Sequence, residues 1–264
     1  MKKYLVIGNP IEHSLSPILH NYWIKKNNIK ATYDKKKINE EDIKNVILDL
    51  KQEKIHGLNV TVPFKNSTIP FLDDVTSVVE KTKSVNTIYK KDNKIIGHNT
   101  DVGGFERSLI ETNYKVKNKK IFILGSGGVV GSIILALENL EAGQITLSNR
   151  TRKKAEKIKD INPKLNIVDW GKIPEFDIII NATSLGLKNN DEIKLNFENV
   201  GNNKLFYDVI YNQNITNFLK HGKKLGNEIK DGKMMFIYQA QLAFKTWHNI
   251  LPKIENETID LLIK

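Results

Sequence analysis

Cysteine is absent from this sequence, which excludes disulfides, thiolate nucleophiles and Cys-ligated metals while saying little about compartment. Arginine is scarce, confined to Arg107, Arg150 and Arg152. No stretch approaches the ~18 apolar residues that a transmembrane helix requires. The apolar core of the N-terminal MKKYLVIGNP is too short for a signal peptide before Pro10 interrupts it, so a cytoplasmic location is expected. The six histidines are scattered without ligand spacing such as two on one helical turn, and no metal is expected.

What is abundant is lysine. The formal charge is +11, and clustered basic residues would point to nucleic acid. Here the lysines run through every segment with acidic residues interleaved, the pattern of solvated faces in a chain biased toward Lys, Asn and Ile. Neither a nucleic-acid nor a membrane partner is expected. The field retains one use, which is to draw small anionic substrates and a phosphorylated cofactor. A length of 264 residues with 40% hydrophobic content fits one large or two moderate domains with real cores.

The stretch 59–65, NVTVPFK, organises the N-terminal half. Leu58, Val60 and Val62 alternate with Asn59 and Thr61, which predicts a strand with one apolar and one polar face, followed by Pro63 and Lys65. In a chain this rich in lysine, Lys65 alone reads as a solvated loop residue. It becomes chemistry only with a partner, and the candidate is Asp101. That residue ends the GHNTD motif, after a predicted hairpin of 85–89 and 94–97 that turns at Asp92-Asn93 and also delivers Asn86. Asp101 either caps the helix predicted over 102–112, or holds the Lys65 ammonium and biases it for proton transfer.

Upstream, a strand at 3–7 leads through GNPIEHSLSP to a helix over 17–27. Ser16 reads as an N-cap with Pro17 at the first helical position. In the sharper reading Ser14 and Ser16 together hold a carboxylate at the helix N-terminus. A strand near 31–33, a helix over 40–51 and helical spacing between 75 and 85 complete this half.

Beyond the helix at 102–112 the pattern changes. The continuous apolar KIFIL of 120–124 is the kind of strand a parallel sheet buries on both faces, and it runs straight into GSGGVVG. Gly125, Gly127 and Gly128 open a helix over 129–140, and a strand follows at 144–148. Strand, glycine turn, helix and strand within about thirty residues is the context of a dinucleotide-binding unit. The last glycine, Gly131, falls one position later than G-x-G-x-x-G requires, which leaves Gly128 or Gly131 to permit close helix–sheet packing. At the end of the second strand, where NAD-binding chains place an acid, stand Asn149-Arg150-Thr151 with Arg152, Lys153 and Lys154 behind. A cation there accommodates a 2′-phosphate, so NADP is expected over NAD. Strands at 176–181 and 205–210 should bring NATS and Tyr211-Asn212 to the carboxyl edge of a doubly wound sheet. A helix near 215–223, a short strand at 228–229 and a helix over 234–251, ended by Pro252 and carrying Gln239 beside its apolar stripe, close the chain.

Taken in order, HSLSPILHN, NVTVPFK, SVNT, GHNTD, GSGGVVG, NRT, NATSLG, YDVIYN and the late helix with Gln239-Ala240 resemble shikimate dehydrogenase over nearly the whole chain. The resemblance implies an α/β protein of two domains: an N-terminal α/β substrate domain plus a Rossmann-like doubly wound parallel sheet, with a cleft between them. Residues 1–101, completed by 234–264, would form the substrate domain and 102–233 the NADP-binding domain. The implied reaction is NADP-dependent interconversion of shikimate and 3-dehydroshikimate, in aromatic amino-acid biosynthesis. By position, Lys65 and Asp101 would be the catalytic pair. Ser14, Ser16, Asn59, Thr61, Asn86, Tyr211 and Gln239 would bind substrate. Gly125, Ser126, Gly127, Gly128, Asn149, Arg150, Thr151, Lys154 and Thr183 would bind NADP. Three positions depart from the family pattern: Lys233 stands for a usual glycine, Gln213 for a frequent proline and Gly131 for a common alanine. A quinate/shikimate enzyme using NAD and a non-catalytic ligand-binding regulator are the alternatives on the same scaffold, and a homodimer is the assembly to test.

Overall fold

In a computed structural model, which describes residues 1–188, 191–212 and 214–262, the chain divides into two compact units. One comprises Met1–Gly104 and Phe236–Lys264, the other Phe105–Met235. Gln213 lies outside the described residues.

The first unit runs β1 (Lys2–Gly8), α1 (Ser16–Lys26), β2 (Ala31–Lys37), a 3₁₀ turn at Glu40–Asp42, α2 (Ile43–Lys51), β3 (Gly57–Val60), β4 (Asp74–Val75), α3 (Ser77–Thr82), β5 (Thr87–Lys91) and β6 (Lys94–His98). α4 (Asp101–Ile110) then leads out of it. The sheet order is β2-β1-β3-β5-β6-β4, parallel from β2 to β3 and antiparallel at β3/β5 and β5/β6. All four residues of β3 are buried. Leu58 and Val60 pack into a core with Ile43, Val46, Ile47 and Leu50 of α2, the amphipathic stripe that holds the helix to the sheet. The predicted alternation stops early: the strand ends at Val60, and Val62 is 60% exposed, although the Thr61 amide still reaches the Ile7 carbonyl and the Val62 carbonyl the Asn9 amide. The predicted hairpin is present, with Asp92 and Asn93 both at positive φ, the geometry of a tight turn matched to strand twist. The helical spacing of 75–85 resolves into the two-residue β4 and the six-residue α3.

The second unit runs β7 (Lys120–Leu124), α5 (Val130–Asn139), β8 (Gln144–Ser148), α6 (Arg152–Ile161), β9 (Asn166–Val168), β10 (Ile178–Asn181), β11 (Leu205–Asp208), α7 (Asn217–Lys224) and β12 (Glu228–Lys230). All five strand pairs are parallel, in the order β12-β11-β10-β7-β8-β9. This is the doubly wound Rossmann order, with its reversal between β7 and β10. The near-continuous apolar runs of β7, β10 and β11 are buried accordingly. α8 (Lys233–His248) carries the chain back to the first unit, where Ala240, Ala243 and Phe244 are buried and Trp247 Nε1 donates to the Ile88 carbonyl at 3.1 Å. The helix stops three residues before the predicted 251, at Asn249 with φ 54°, a left-handed C-terminal stop that Asn tolerates better than most residues. α9 (Asn256–Asp260) follows. Among the described residues no helix is long and apolar enough to cross a membrane.

Candidate active site

Lys65 follows β3 on a turn anchored by the buried Phe64 and by the Val85 amide, which donates to the Lys65 carbonyl at 2.8 Å. Its side chain is largely withdrawn from solvent. Lys65 Nζ donates to Asp101 Oδ2 at 2.6 Å, and the two side chains are only 12% and 7% exposed. At that burial the attraction is screened far less than between surface charges, so the contact fixes where the ammonium points.

Asp101 is free for this because it does not cap α4. Asn99 does so instead: its Oδ1 accepts from the Asp101 amide at 2.9 Å and the Val102 amide at 3.3 Å, satisfying first-turn donors that would otherwise compete for the Asp101 carboxylate. The second Asp101 oxygen, Oδ1, accepts from Asn86 Nδ2 at 2.9 Å. Asn86 in turn accepts at Oδ1 from the Thr100 amide at 2.8 Å and from Thr87 Oγ1 at 3.0 Å, while its Nδ2 reaches Gln239 Oε1 at 3.3 Å. Asn59 joins through Nδ2, which donates to the Asn86 carbonyl at 2.8 Å and to Thr87 Oγ1 at 3.1 Å. Five predicted site residues, Asn59, Lys65, Asn86, Asp101 and Gln239, thus form one connected cluster. The buried Thr87, Thr100 and Asn99 complete it. These three lie within SVNT and GHNTD, yet sequence reasoning missed them as site residues, because a threonine or asparagine next to a strand end carries no spacing signal of its own.

Ser14 and Ser16 stand at the start of α1. Ser16 is not its N-cap: Leu15 occupies that position without a side-chain cap, and Ser16 is the first helical residue. The Ser16 amide instead donates to Ser14 Oγ at 3.4 Å. Pro17, at the second helical position, has no N–H to satisfy. Thr61 is half-buried at the end of β3, its methyl in the space a side chain at Gly8 would need. Tyr211 belongs to the second unit, half-buried, with its phenol pushed up by desolvation.

The predicted cofactor residues lie at the carboxyl edge of the second sheet. Gly125 leaves β7 with φ +109°, and a Cβ there would stand 2.7 Å from the Ala182 carbonyl, so only glycine fits. Gly127 and Gly128 are exposed just before α5 begins, where the positive end of the helix dipole favours an anion. Thr183 borders the same cradle, its methyl 3.0 Å from that Cβ position, and its hydroxyl donates to Asn181 Oδ1 at 2.7 Å. The turn is anchored below by Asp208, which accepts from Asn181 Nδ2 at 2.9 Å and Thr216 Oγ1 at 2.6 Å. Burial raises the Asp208 carboxyl to about 6. A Gly125→Ala substitution should cost about 1–3 kcal/mol from backbone strain alone, read as a lower denaturant midpoint.

After β8, Asn149 Nδ2 donates to the Thr151 carbonyl at 2.9 Å and pins the turn. The cations that follow differ in their partners. Arg152 is spent on Glu156 and Asp169. Arg150 and Lys154 are exposed and form no ion pair among the described residues. A glycine turn that admits no side chain at Gly125 and three cations without ion pairs among the described residues, Arg150, Lys153 and Lys154, after the second strand suit a dinucleotide with a 2′-phosphate. Lys233, where the family pattern has a glycine, begins α8 half-exposed, its amide donating to Asp231 Oδ1 at 3.1 Å.

Comparison with known proteins decides the family. Residues 6–88 match the family model for the shikimate dehydrogenase substrate-binding domain, and residues 108–221 that for shikimate/quinate 5-dehydrogenase. A curated relative from Pelagibacter ubique (strain HTCC1062), an NADP(+) shikimate dehydrogenase, is 58% identical over 261 residues, 99% of this chain and 98% of its own. The chain belongs to the shikimate dehydrogenase family. The crystal structure of the Aquifex aeolicus shikimate dehydrogenase superposes with a TM-score of 0.92 at 35% identity, covering 100% of this chain and 98% of that one. The Thermus thermophilus family member, solved in complex with NADP(H) and shikimate, gives 0.90 at 26% identity over 99% of this chain and 98% of its own.

Proposed function

We propose that the protein interconverts 3-dehydroshikimate and shikimate with NADP(H), and that Lys65 and Asp101 handle the proton. The observation that carries the reading is the buried Lys65 Nζ to Asp101 Oδ2 contact, in the strand-end loops of a chain of this family. In the reducing direction the Lys65 ammonium donates a proton to the ketone oxygen; in the oxidising direction the amine takes the hydroxyl proton. Asp101 orients Nζ, and its other oxygen is itself oriented by Asn86. NADP, when bound, supplies the hydride donor or acceptor.

The remaining roles follow from side-chain chemistry. Ser14 and Ser16, at the amide-rich start of α1, suit the substrate carboxylate. Thr61, Asn86 and Gln239, with Asn59 beside them and Tyr211 from the second unit, offer the mixed donors and acceptors that ring hydroxyls require. Gly125, Ser126, Gly127 and Gly128 cradle the pyrophosphate. Asn149, Arg150, Thr151 and Lys154 hold the adenosine 2′-phosphate, and Thr183 borders the cradle. The proposal includes residues 1–101 with 234–264 as the substrate domain and 102–233 as the NADP domain. A cytoplasmic location and assembly as a homodimer complete it, the latter to be read by sedimentation.

Holding both reactants in line supplies up to roughly 7–11 kcal/mol, and the positioned acid–base pair a further factor of about 10²–10⁴. Initial rates with shikimate and with quinate, each with NADP+ and NAD+, test the reading. The expected result is a kcat/KM dominated by the shikimate and NADP+ combination. Preference for quinate with NAD+ would establish the alternative enzyme, and no turnover in any combination the regulator.

A further inference from the structure

Tyr33, in the edge strand β2, carries no motif and had no place among the expected site residues, yet it is fixed from three directions. Asn21 of α1 clamps its backbone, with Oδ1 accepting from the Tyr33 amide at 3.0 Å and Nδ2 donating to its carbonyl at 2.7 Å. This pairs main-chain groups that an edge strand otherwise leaves open. The ring lies flat on His20, with centroids 4.2 Å apart and an interplanar angle of 2°. His20 is itself 1% exposed, its ring nitrogens without hydrogen-bond partners among the described residues, and burial holds it neutral by pulling it down to about 3. It serves as an uncharged plate against the phenol.

The third restraint is the hydroxyl. Tyr33 is 1% exposed, and its OH donates to Asn59 Oδ1 at 2.6 Å. Burial pushes the Tyr33 phenol well above its ordinary value, which keeps the hydroxyl a donor. A carboxamide has two ends of opposite polarity, and the Tyr33 donor selects which end of Asn59 faces it. With Oδ1 held there, Nδ2 must point at the Asn86 carbonyl and Thr87 Oγ1. Asn86 in turn presents Nδ2 to Asp101 Oδ1, and Asp101 holds Lys65. We propose that Tyr33 is a positioning residue for the substrate side of the site, its hydroxyl fixing the Asn59 carboxamide and, through it, the Asn86–Asp101–Lys65 chain. The proposal rests on the reading of that chain as the acid–base centre for shikimate.

Tyr33→Phe keeps the ring, the His20 stack and the Asn21 clamp and removes only the donor, which leaves Asn59 Oδ1 buried and unpaired. Losing one buried hydrogen bond of this kind should lower kcat/KM for shikimate about tenfold, with KM for NADP+ unchanged within about twofold. A core-packing role alone would lower the melting temperature and leave the shikimate kinetics alone. In an Asn59→Ala background, Tyr33→Phe should cause no further fall, because the two act in series. Unchanged shikimate kinetics, an equal loss against NADP+, or fully additive losses in the double variant would each overturn the proposal. Should Tyr33→Phe not fold, Asn59→Ala alone must show the same shikimate-selective loss, and its absence refutes Tyr33. If the wild-type protein does not turn over shikimate, the reaction assignment fails, and the role of Tyr33 with it. A working wild type with unchanged Tyr33→Phe kinetics removes the role of Tyr33 only.

Discussion

A Lys65→Met protein should lose about 10²–10⁴ in kcat with little change in KM for shikimate. Methionine keeps the unbranched stem, so the packing of the turn after β3 is conserved, and what disappears is the proton carrier. Nothing in the cluster replaces it: the groups bonded to one another around Asp101 are carboxamides and hydroxyls, none of which can deliver a proton as an ammonium does. The substitution also leaves Asp101, 7% exposed, without its cation and supported by Asn86. Some stability should therefore go with the activity, because a buried charge without its partner is costly. The kinetic and thermodynamic losses are separable. A folded Lys65→Met enzyme with near-wild-type kcat and normal shikimate binding would sink the assignment of Lys65.

The second large effect concerns the cofactor. Arg150→Asp should raise KM for NADP+ by about 10- to 150-fold, the range that a lost charge-assisted hydrogen bond of ~1.5–3 kcal/mol implies. It should also narrow or reverse the preference over NAD+, because an acid at this position suits ribose hydroxyls and repels a 2′-phosphate. Arg152 cannot compensate, since Glu156 and Asp169 already hold it. Arg152→Ala is thus the internal control and should leave KM for NADP+ within about twofold. Lys154, exposed on the first turn of α6, sets the residual affinity, and removing it along with Arg150 should deepen the effect. Initial-rate titrations with both cofactors measure all three. Equal losses in Arg150 and Arg152 variants would mean that a diffuse basic field attracts the phosphate and no specific contact holds it.

Much of this is legible in the sequence, for identifiable reasons. The continuous apolar runs of β7, β10 and β11 are buried on both faces, and a strand of that kind announces itself. The glycine at the end of β7 is required by a positive φ, which the motif marks locally, and by the Ala182 carbonyl 2.7 Å from where its Cβ would be, which only the fold brings there. Lys65 and Asp101 could be matched across 36 positions because each ended a strand-to-loop motif. What failed was the local chemistry of caps. Ser16 and Asp101 are both good N-cap residues in isolation, but neither caps its helix: Asn99 takes the role at α4, and at α1 Leu15 holds the cap position, with the Ser14 hydroxyl accepting from the Ser16 amide. A cap is chosen by whichever side chain the preceding loop presents, and that is a tertiary outcome. β9 and α6 escaped notice because β9 has three residues and α6 buries only Ala155, leaving scarcely any apolar period to read. Tyr33 escaped for the opposite reason: an aromatic in a strand reads as core, and only the fold shows that its hydroxyl meets Asn59.

Shikimate carrying deuterium in place of hydrogen on the carbon whose hydroxyl is oxidised offers the most direct test of the chemistry. Incubated with NADP+ and the purified protein, it should yield NADPH labelled with deuterium, and the labelled substrate should react no faster than the unlabelled one. Absence of shikimate-dependent NADPH, or NADPH without the label, would contradict hydride transfer at this site.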